Sequence, residues 1–249
     1  PRSTLFPYTT LFRSRKMVQE VIQSHNQFGV AAELRQLRAT AVKDVVWELC
    51  CGPKSTLTSE AERQGMQAHR LTLENGFDFD DPNSVAQAKL KIKTERPTKL
   101  WASPKCNPWT NTQNLDQRTF EQCRNLRRMR LRSRRQVRHI LDIFRAAISR
   151  DPKNVHVYFE WPRDAVDGWR IQEFQRFERW LHSTFGIQLF RTHIHGCMFG
   201  VRAPSGELLN KPWVILTTDE FFFKHATTKC DGSHEHRPGG MLGMGSKHV

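Results

Sequence analysis

Cys106 and Glu160 are the residues whose types and positions could do chemistry. Cys106 lies in the run Leu100-Trp-Ala-Ser103-Pro104-Lys105-Cys106-Asn107-Pro108-Trp109, a proline-bearing loop entered from a short apolar segment. An ionised thiol is a strong nucleophile, and the neighbouring Lys105 ammonium favours the thiolate. Glu160 ends a second apolar run and is followed by Trp161-Pro162. A carboxyl that keeps its proton at a strand end can serve as a general acid. The competing reading of Cys106 is an inert, buried loop cysteine.

The elements that must position these groups follow from periodicity and turn signals. Residues 44–49, 69–74, 99–103 and 155–160 read as short strands. Residues 55–64, with Ser55 or Thr56 as N-cap and Gly65 as stop, read as a helix, as do residues 17–39 and 80–94. Residues 120–150 form a long helix with Leu126, Met129, Val137, Ile140, Phe144 and Ile148 on one stripe, and 174–185 a shorter one ended by Gly186. Three apolar segments close the pattern, 187–192, 197–202 and 213–217, with Gly206 turning between the last two. Alternation of strand and helix predicts an α/β, Rossmann-like, doubly wound and mostly parallel sheet that finishes in an antiparallel strand pair.

Such a sheet binds ligands beyond the carboxyl ends of its strands. The first strand runs into Glu48-Leu-Cys50-Cys51-Gly52, where a glycine lets the backbone approach a ligand; alone, this is equally an ordinary strand-to-helix turn. Glu74, ending the second strand, is placed to take the two hydroxyls of a ribose. Asp78 follows, with Phe77 or Phe79 as a stacking wall; singly, Glu74 and Asp78 also read as solvated surface carboxylates.

Taken together, these segments resemble the cytosine-5 DNA methyltransferases, within the class I S-adenosylmethionine-dependent methyltransferases, over about residues 45–217. Ser103-Pro-Lys-Cys106 is similar to their Pro-Pro-Cys loop, and closer to the Ser-Pro-Pro-Cys form of divergent relatives carried by mobile elements, with Lys105 in place of the second proline. Glu160-Trp-Pro162 resembles their Glu-Asn-Val motif in a Glu-x-Pro form, and residues 45–52 resemble the first motif with Lys54 where a second glycine stands. Residues 195–200 and 211–217 also look like the mobile-element relatives. The resemblance implies S-adenosylmethionine as cofactor, lined by Glu48, Cys50, Gly52, Glu74, Asp78 and Ser103. It implies Cys106 adding to carbon 6 of cytosine, a protonated Glu160 donating to N3, and Arg191 as the arginine of a third motif. The large target-recognition insertion is missing, so any sequence specificity is expected to come from elsewhere or from a fused domain. Rival readings are an amino-methyltransferase acting on adenine N6 or cytosine N4, echoed by Asn107-Pro108-Trp109, a non-catalytic DNA-binding module of a retroelement polyprotein, and an RNA methyltransferase.

Charge supports a polyanionic partner. The 249 residues carry a formal +14 with an isoelectric point near 10.0, and residues 124–138 hold eight arginines without an acid. Lys105, Arg127, Arg128, Arg134 and Arg135 are the expected contacts to DNA, with RNA the less favoured partner; a solvated basic face is the bland alternative. No run is long and apolar enough for a membrane span. The six cysteines lack the density of a disulfide scaffold, so a reducing intracellular compartment is expected, nuclear in a eukaryote. Cys230-x3-His234-x-His236, with the distant Cys197, offers metal-ligand types. Its spacing is looser than paired zinc motifs, so no metal is assigned and a polar disordered tail is expected instead. The chain begins with Pro, and residues 4–14 read like a translated sequencing adapter, so residues 1–16 are set aside. The expected domain spans 17–218, with 219–249 as a partly disordered extension rich in Gly and His.

Overall fold

A computed structural model describes residues 44–52, 55–114 and 119–237. The helix expected over 17–39, the set-aside first sixteen residues and Lys54 lie outside the described residues. The fold is α/β, built on one six-stranded mixed sheet of order β2-β1-β3-β4-β6-β5. The strands are β1 (Val45–Leu49), β2 (Gln67–Leu71), β3 (Lys99–Ala102), β4 (His156–Pro162), β5 (Phe190–His195) and β6 (Pro212–Thr217). The helices are α1 (Thr56–Arg63), α2 (Pro82–Glu95), α3 (Phe120–Arg150), the single turn α4 (Val166–Trp169), α5 (Gln172–Phe185) and α6 (Glu220–Ala226).

Strands β1 to β4 pair in parallel, while β6 runs antiparallel to both β4 and β5. The expected C-terminal antiparallel pair is present as β5 with β6, and β6 lies inserted between β4 and β5; residues 197–202 do not form a strand of the sheet. Residues Gly196–Phe199 form a 3-10 turn, and the hairpin around Gly206 is reduced to the bridge Arg202–Leu208. Gly206 does turn there, with φ +98. The strand expected at 69–74 begins and ends earlier, because Leu73–Asn75 turns off as a 3-10 helix closed by the left-handed Gly76.

Alternation of side chains gives the sheet two apolar faces. Trp47, Leu49, Leu100, Phe159, Trp161 and Leu216 face α2, α3 and α5. Val46, Trp101, Tyr158 and Ile215 face α1 and α6, where Leu57 and Phe222 are fully buried. So the fold continues beyond residue 218 into α6. Helix α1 starts at its expected cap, Ser55, whose hydroxyl accepts from the Leu57 amide. Helix α3 has a capping box, with Thr119 and Gln122 satisfying each other's backbone N–H groups. Its buried residues begin only at Ser133, and Phe120, Met129 and Leu131 are 84%, 45% and 57% exposed. The stripe that holds it to the sheet is thus its second half, and the first half projects past the core.

Five aromatic rings join the loop after β3 to β4, α4 and α5: Trp109, Phe159, Trp161, Trp169 and Phe174. The Trp161 indole donates to the Pro104 carbonyl (2.8 Å) and the Trp109 indole to the Ser133 hydroxyl (2.8 Å). Gly168 lets this cluster close, since a Cβ there would stand 2.8 Å from the Trp161 ring and 2.9 Å from Trp109. Both rings are buried, so neither can yield cheaply. Gly168→Ala is expected to lower the unfolding free energy by about 1–3 kcal/mol. Urea denaturation reads this, and an unchanged midpoint would show that the rings are free to shift.

Candidate functional site

The carboxyl ends of β1, β2 and β3 lie side by side, with Leu49 paired to both Leu71 and Ala102. The loops leaving them enclose a cleft of about 660 Å³, walled by Cys50, Glu74, Phe77, Asp78 and Lys105, with Met129, Arg132, Ser133 and Gln136 of α3 across from them. Of the six residues expected around a cofactor, Cys50, Glu74 and Asp78 line this cleft. Phe77 is half-buried in its wall, while Phe79 is 2% exposed and belongs mainly to the core.

Glu48 does not face the cleft. It shares the α1 side of the sheet with Val46, is 2% exposed, and its carboxylate accepts from the Ser55 and Thr58 hydroxyls, the latter at 2.6 Å. Burial raises its carboxyl above the ordinary range, against those two hydroxyls and Arg70. Glu48 thus anchors the start of α1. Gly52 has no heavy atom within 4 Å of where a Cβ would stand, and the left-handed residue of this turn is Cys50, with φ 61. The Cys50 thiol is pushed far up, first by burial and then by Cys51 and two aspartates, so it stays protonated.

Ser103 belongs to a second cluster. Its hydroxyl donates to Glu160 Oε2 (3.1 Å), and Trp101 Nε1 donates to the same oxygen (3.1 Å). Burial raises the Glu160 carboxyl, opposed by Lys211 and by these two donors. Burial lowers the Lys211 ammonium, opposed by Glu160 and Cys106. Burial also raises the Cys106 thiol, with Lys211 pulling it down and Glu160 and Asp164 pushing it up. Cys106, Glu160 and Lys211 thus influence one another's charge, and the lysine is one that the sequence had not singled out. Lys105, expected to activate the thiol, is exposed and turns into the cleft. Lys211 reaches the cluster because β6 inserts beside β4, and its ammonium lies 4.8 Å from the Trp213 ring centre. Arg191 is not part of the cluster. It pairs with Leu216, which pairs with Phe159, so it projects to the face opposite Glu160 and covers Trp169 at 5.9 Å.

The expected DNA contacts divide. Arg134 and Arg138 both hold Glu173, which is 4% exposed, and Arg132 and Arg135 both hold Asp80. Burial works to raise Glu173, but hydrogen bonds from Arg134 and Arg138 overcome it and keep the carboxyl below its ordinary range. Arg130 donates to the Pro108 carbonyl (3.1 Å) and meets Asp167 (3.4 Å), and Arg124 and Arg128 share Glu121. Arg127 is exposed and has no ion-pair partner among the described residues. Trp109, three residues after Cys106, and Trp161, next to Glu160, are both buried in the core.

At the far edge of the sheet, Cys197, Cys230, His234 and His236 converge, with their ligand atoms all within 4.8 Å of one another. Residues 230–237 are thus gathered onto the sheet rather than forming the expected loose tail, and they supply metal-ligand types where no metal had been assigned.

No family model and no curated protein matches this chain. Among solved structures, the β-carbonic anhydrase CafA of the fungal pathogen Aspergillus fumigatus shows a likeness, at 14% identity over 68% of this chain and 97% of that one, with a TM-score of 0.24. A likeness this slight carries no argument for the fold or activity of this chain. The expectation of a cytosine-5 methyltransferase-like domain, with S-adenosylmethionine as cofactor and methyl transfer to DNA, is corrected on the geometry of two residues that the resemblance required: Glu48 is held inside the fold by the Ser55 and Thr58 hydroxyls, and Arg191 lies on the sheet face opposite Glu160.

Because the folded Glu160 carboxyl titrates above its ordinary value of 4.5, folding favours its protonated form. Its contribution is present below that value and is lost as pH rises through the folded value. Glu160→Gln should therefore match the parent near pH 4 and gain relative stability as pH rises toward neutrality. Thermal midpoints across that range test this; a variant that falls behind as pH rises would mean the ionised Glu160–Lys211 pair is the stabilising form.

Proposed function

We propose that this domain binds DNA along the projecting half of α3 and takes an unpaired nucleoside unit of that polymer into the adjoining cleft. One observation carries the reading. Seven of the eight arginines of residues 124–138 share four carboxylates, Glu121, Asp80, Asp167 and Glu173, and Arg127 meets none among the described residues. Half the guanidinium charge is therefore uncompensated, on a helix whose first turns have no core to serve. Neutralising phosphates there releases condensed counterions, which favours binding without sequence preference.

Arg124, Arg127 and Arg128 are the contacts of choice, because Arg134, Arg135 and Arg138 are held by buried or half-buried carboxylates. The cleft shares a wall with the same helix, so a strand held on α3 passes its mouth. Glu74 and Asp78 repel phosphate but accept hydrogen bonds from base amino or sugar hydroxyl groups. Phe77 offers a ring for stacking, and Lys105 sits where it can take the flanking phosphate.

Titration of fluorescent single- and double-stranded DNA at several salt concentrations tests the proposal. Replacing Arg124, Arg127 and Arg128 together with Gln should flatten the slope of log K against log salt by roughly 2–3. Phe77→Ala should weaken single-stranded binding by about 1–3 kcal/mol and leave duplex binding unchanged. A parent slope near zero, or a triple variant that binds like the parent, would remove the proposal.

A further inference from the structure

Cys197, Cys230, His234 and His236 come from two stretches of chain that meet beside β5. The Cys230 sulfur lies 3.6 Å from His234 Nε2 and 3.5 Å from His236 Nε2. The two imidazole rings stand 4.8 Å apart at 80°. Around a tetrahedral zinc ion with its usual Zn–S and Zn–N bonds, neighbouring ligand atoms are separated by roughly 3.3–3.8 Å. We propose that these four residues bind one zinc ion, and that the ion clasps residues 230–237 to the sheet.

The backbone on both sides holds the ligands in place without the ion. Cys197 sits in the Gly196–Phe199 turn, which Gly200 closes in the left-handed region (φ 76) with its N–H donating to the Cys197 carbonyl (3.0 Å). Gly196 lets the turn seat on the next strand, because a Cβ there would lie 2.8 Å from the Trp213 ring. From the other side, Thr228 exchanges hydrogen bonds with His193 and His195, and the Cys230 N–H donates to His195 Nδ1 (3.1 Å). The Gly232 N–H donates to the Cys230 sulfur (3.4 Å), the kind of contact that steadies a metal-bound thiolate.

The donor set also selects the ion and its role. Two thiolates cancel the charge of a divalent cation, and two imidazoles complete a mixed sulfur–nitrogen tetrahedron that suits zinc and excludes magnesium or calcium. Four protein ligands leave no open position for water or substrate, so the site is structural. This inference does not depend on the DNA-binding reading, since none of its residues lies on α3 or in the cleft.

The test uses untagged full-length protein purified under reducing conditions with added zinc, then dialysed. Elemental analysis should find one zinc per chain. Cobalt substitution should give the visible bands of a tetrahedral site together with thiolate-to-metal charge transfer. Cys230→Ser and His234→Asn should each lose the metal, while Cys123→Ser, an exposed cysteine of α3, should keep it. Should those variants fold poorly, the parent still decides, because chelation should open residues 230–237 to protease while α3 and the sheet stay protected. Zinc well below one per chain, an octahedral cobalt spectrum, a chelator without effect on cleavage, or a Cys197–Cys230 disulfide would each overturn the proposal.

Discussion

The indole of Trp161 holding the Pro104 carbonyl is the contact on which the rest of this structure turns. It fixes the loop that leaves β3 against the strand next to it, at the point where that loop would otherwise be free. Trp109 is then laid against Trp161, keyed by the bare Gly168 and tied to α3 through Ser133. A buried indole N–H left unpaired costs about 1–3 kcal/mol, so these two hydrogen bonds set the loop's path as well as the burial of two large rings. Everything chemically interesting hangs from that path. Lys105 lines the cleft, Cys106 packs half-buried against the core, and Pro108 offers its carbonyl to Arg130.

Carboxylates divide the molecule into two electrostatic regimes. Glu48 and Glu160 sit inside the sheet's α1 side, where hydroxyl and indole donors surround them and burial favours the neutral form. Glu173 is as thoroughly covered as Glu48, yet two guanidinium groups keep it ionised. The arginines of α3 therefore do two jobs. Those near the middle lock α3 to α5 through Glu173 and to the cleft wall through Asp80. Those near its start have little to lock to. A charge run that looks uniform in sequence is graded in space, and the gradient places the free positive charge at the exposed end.

The sequence made the elements legible where local rules decide. The bounds of α3, the Ser55 cap of α1 and the Gly186 stop of α5 follow from side-chain periodicity, a hydroxyl at the first turn and a residue free to adopt positive φ. Strand pairing was less legible, because β6 is placed by partners far away in the chain. Lys211 therefore gave no signal of its own, because its charge bears on Glu160 only once β6 lies beside β4. That Cys106 and Glu160 belong to neighbouring strands and the loops at their carboxyl ends was readable, because β3 and β4 pair in parallel. Glu48 misled for a physical reason: an acid before a glycine turn can serve a ligand or the next helix's first hydroxyls, and only the folded backbone decides between them. The Cys/His quartet was visible as residue types, but its fourth member stands 33 positions before the third-last, and loop closure over that span leaves no local signature.

The two sheet edges show why a clasp belongs where the quartet lies. An unpaired edge strand is a template for other chains, and proteins blunt it with charge or cover it. The β2 edge is a short strand, Gln-Ala-His-Arg-Leu, with an exposed glutamine and a half-buried arginine that discourage pairing. The β5 edge carries Phe190, Thr192 and Ile194, residues that pair readily. There the chain itself supplies the cover: Thr228 bridges Ile194 in parallel, and the segment continues to Arg237, whose N–H reaches the Leu208 carbonyl. That cover is a single bridge and a few hydrogen bonds. Ligands on both the covering segment and the turn after β5 convert it into a closed loop, so the quartet stands where a cross-link would most reduce the freedom of the strand's cover.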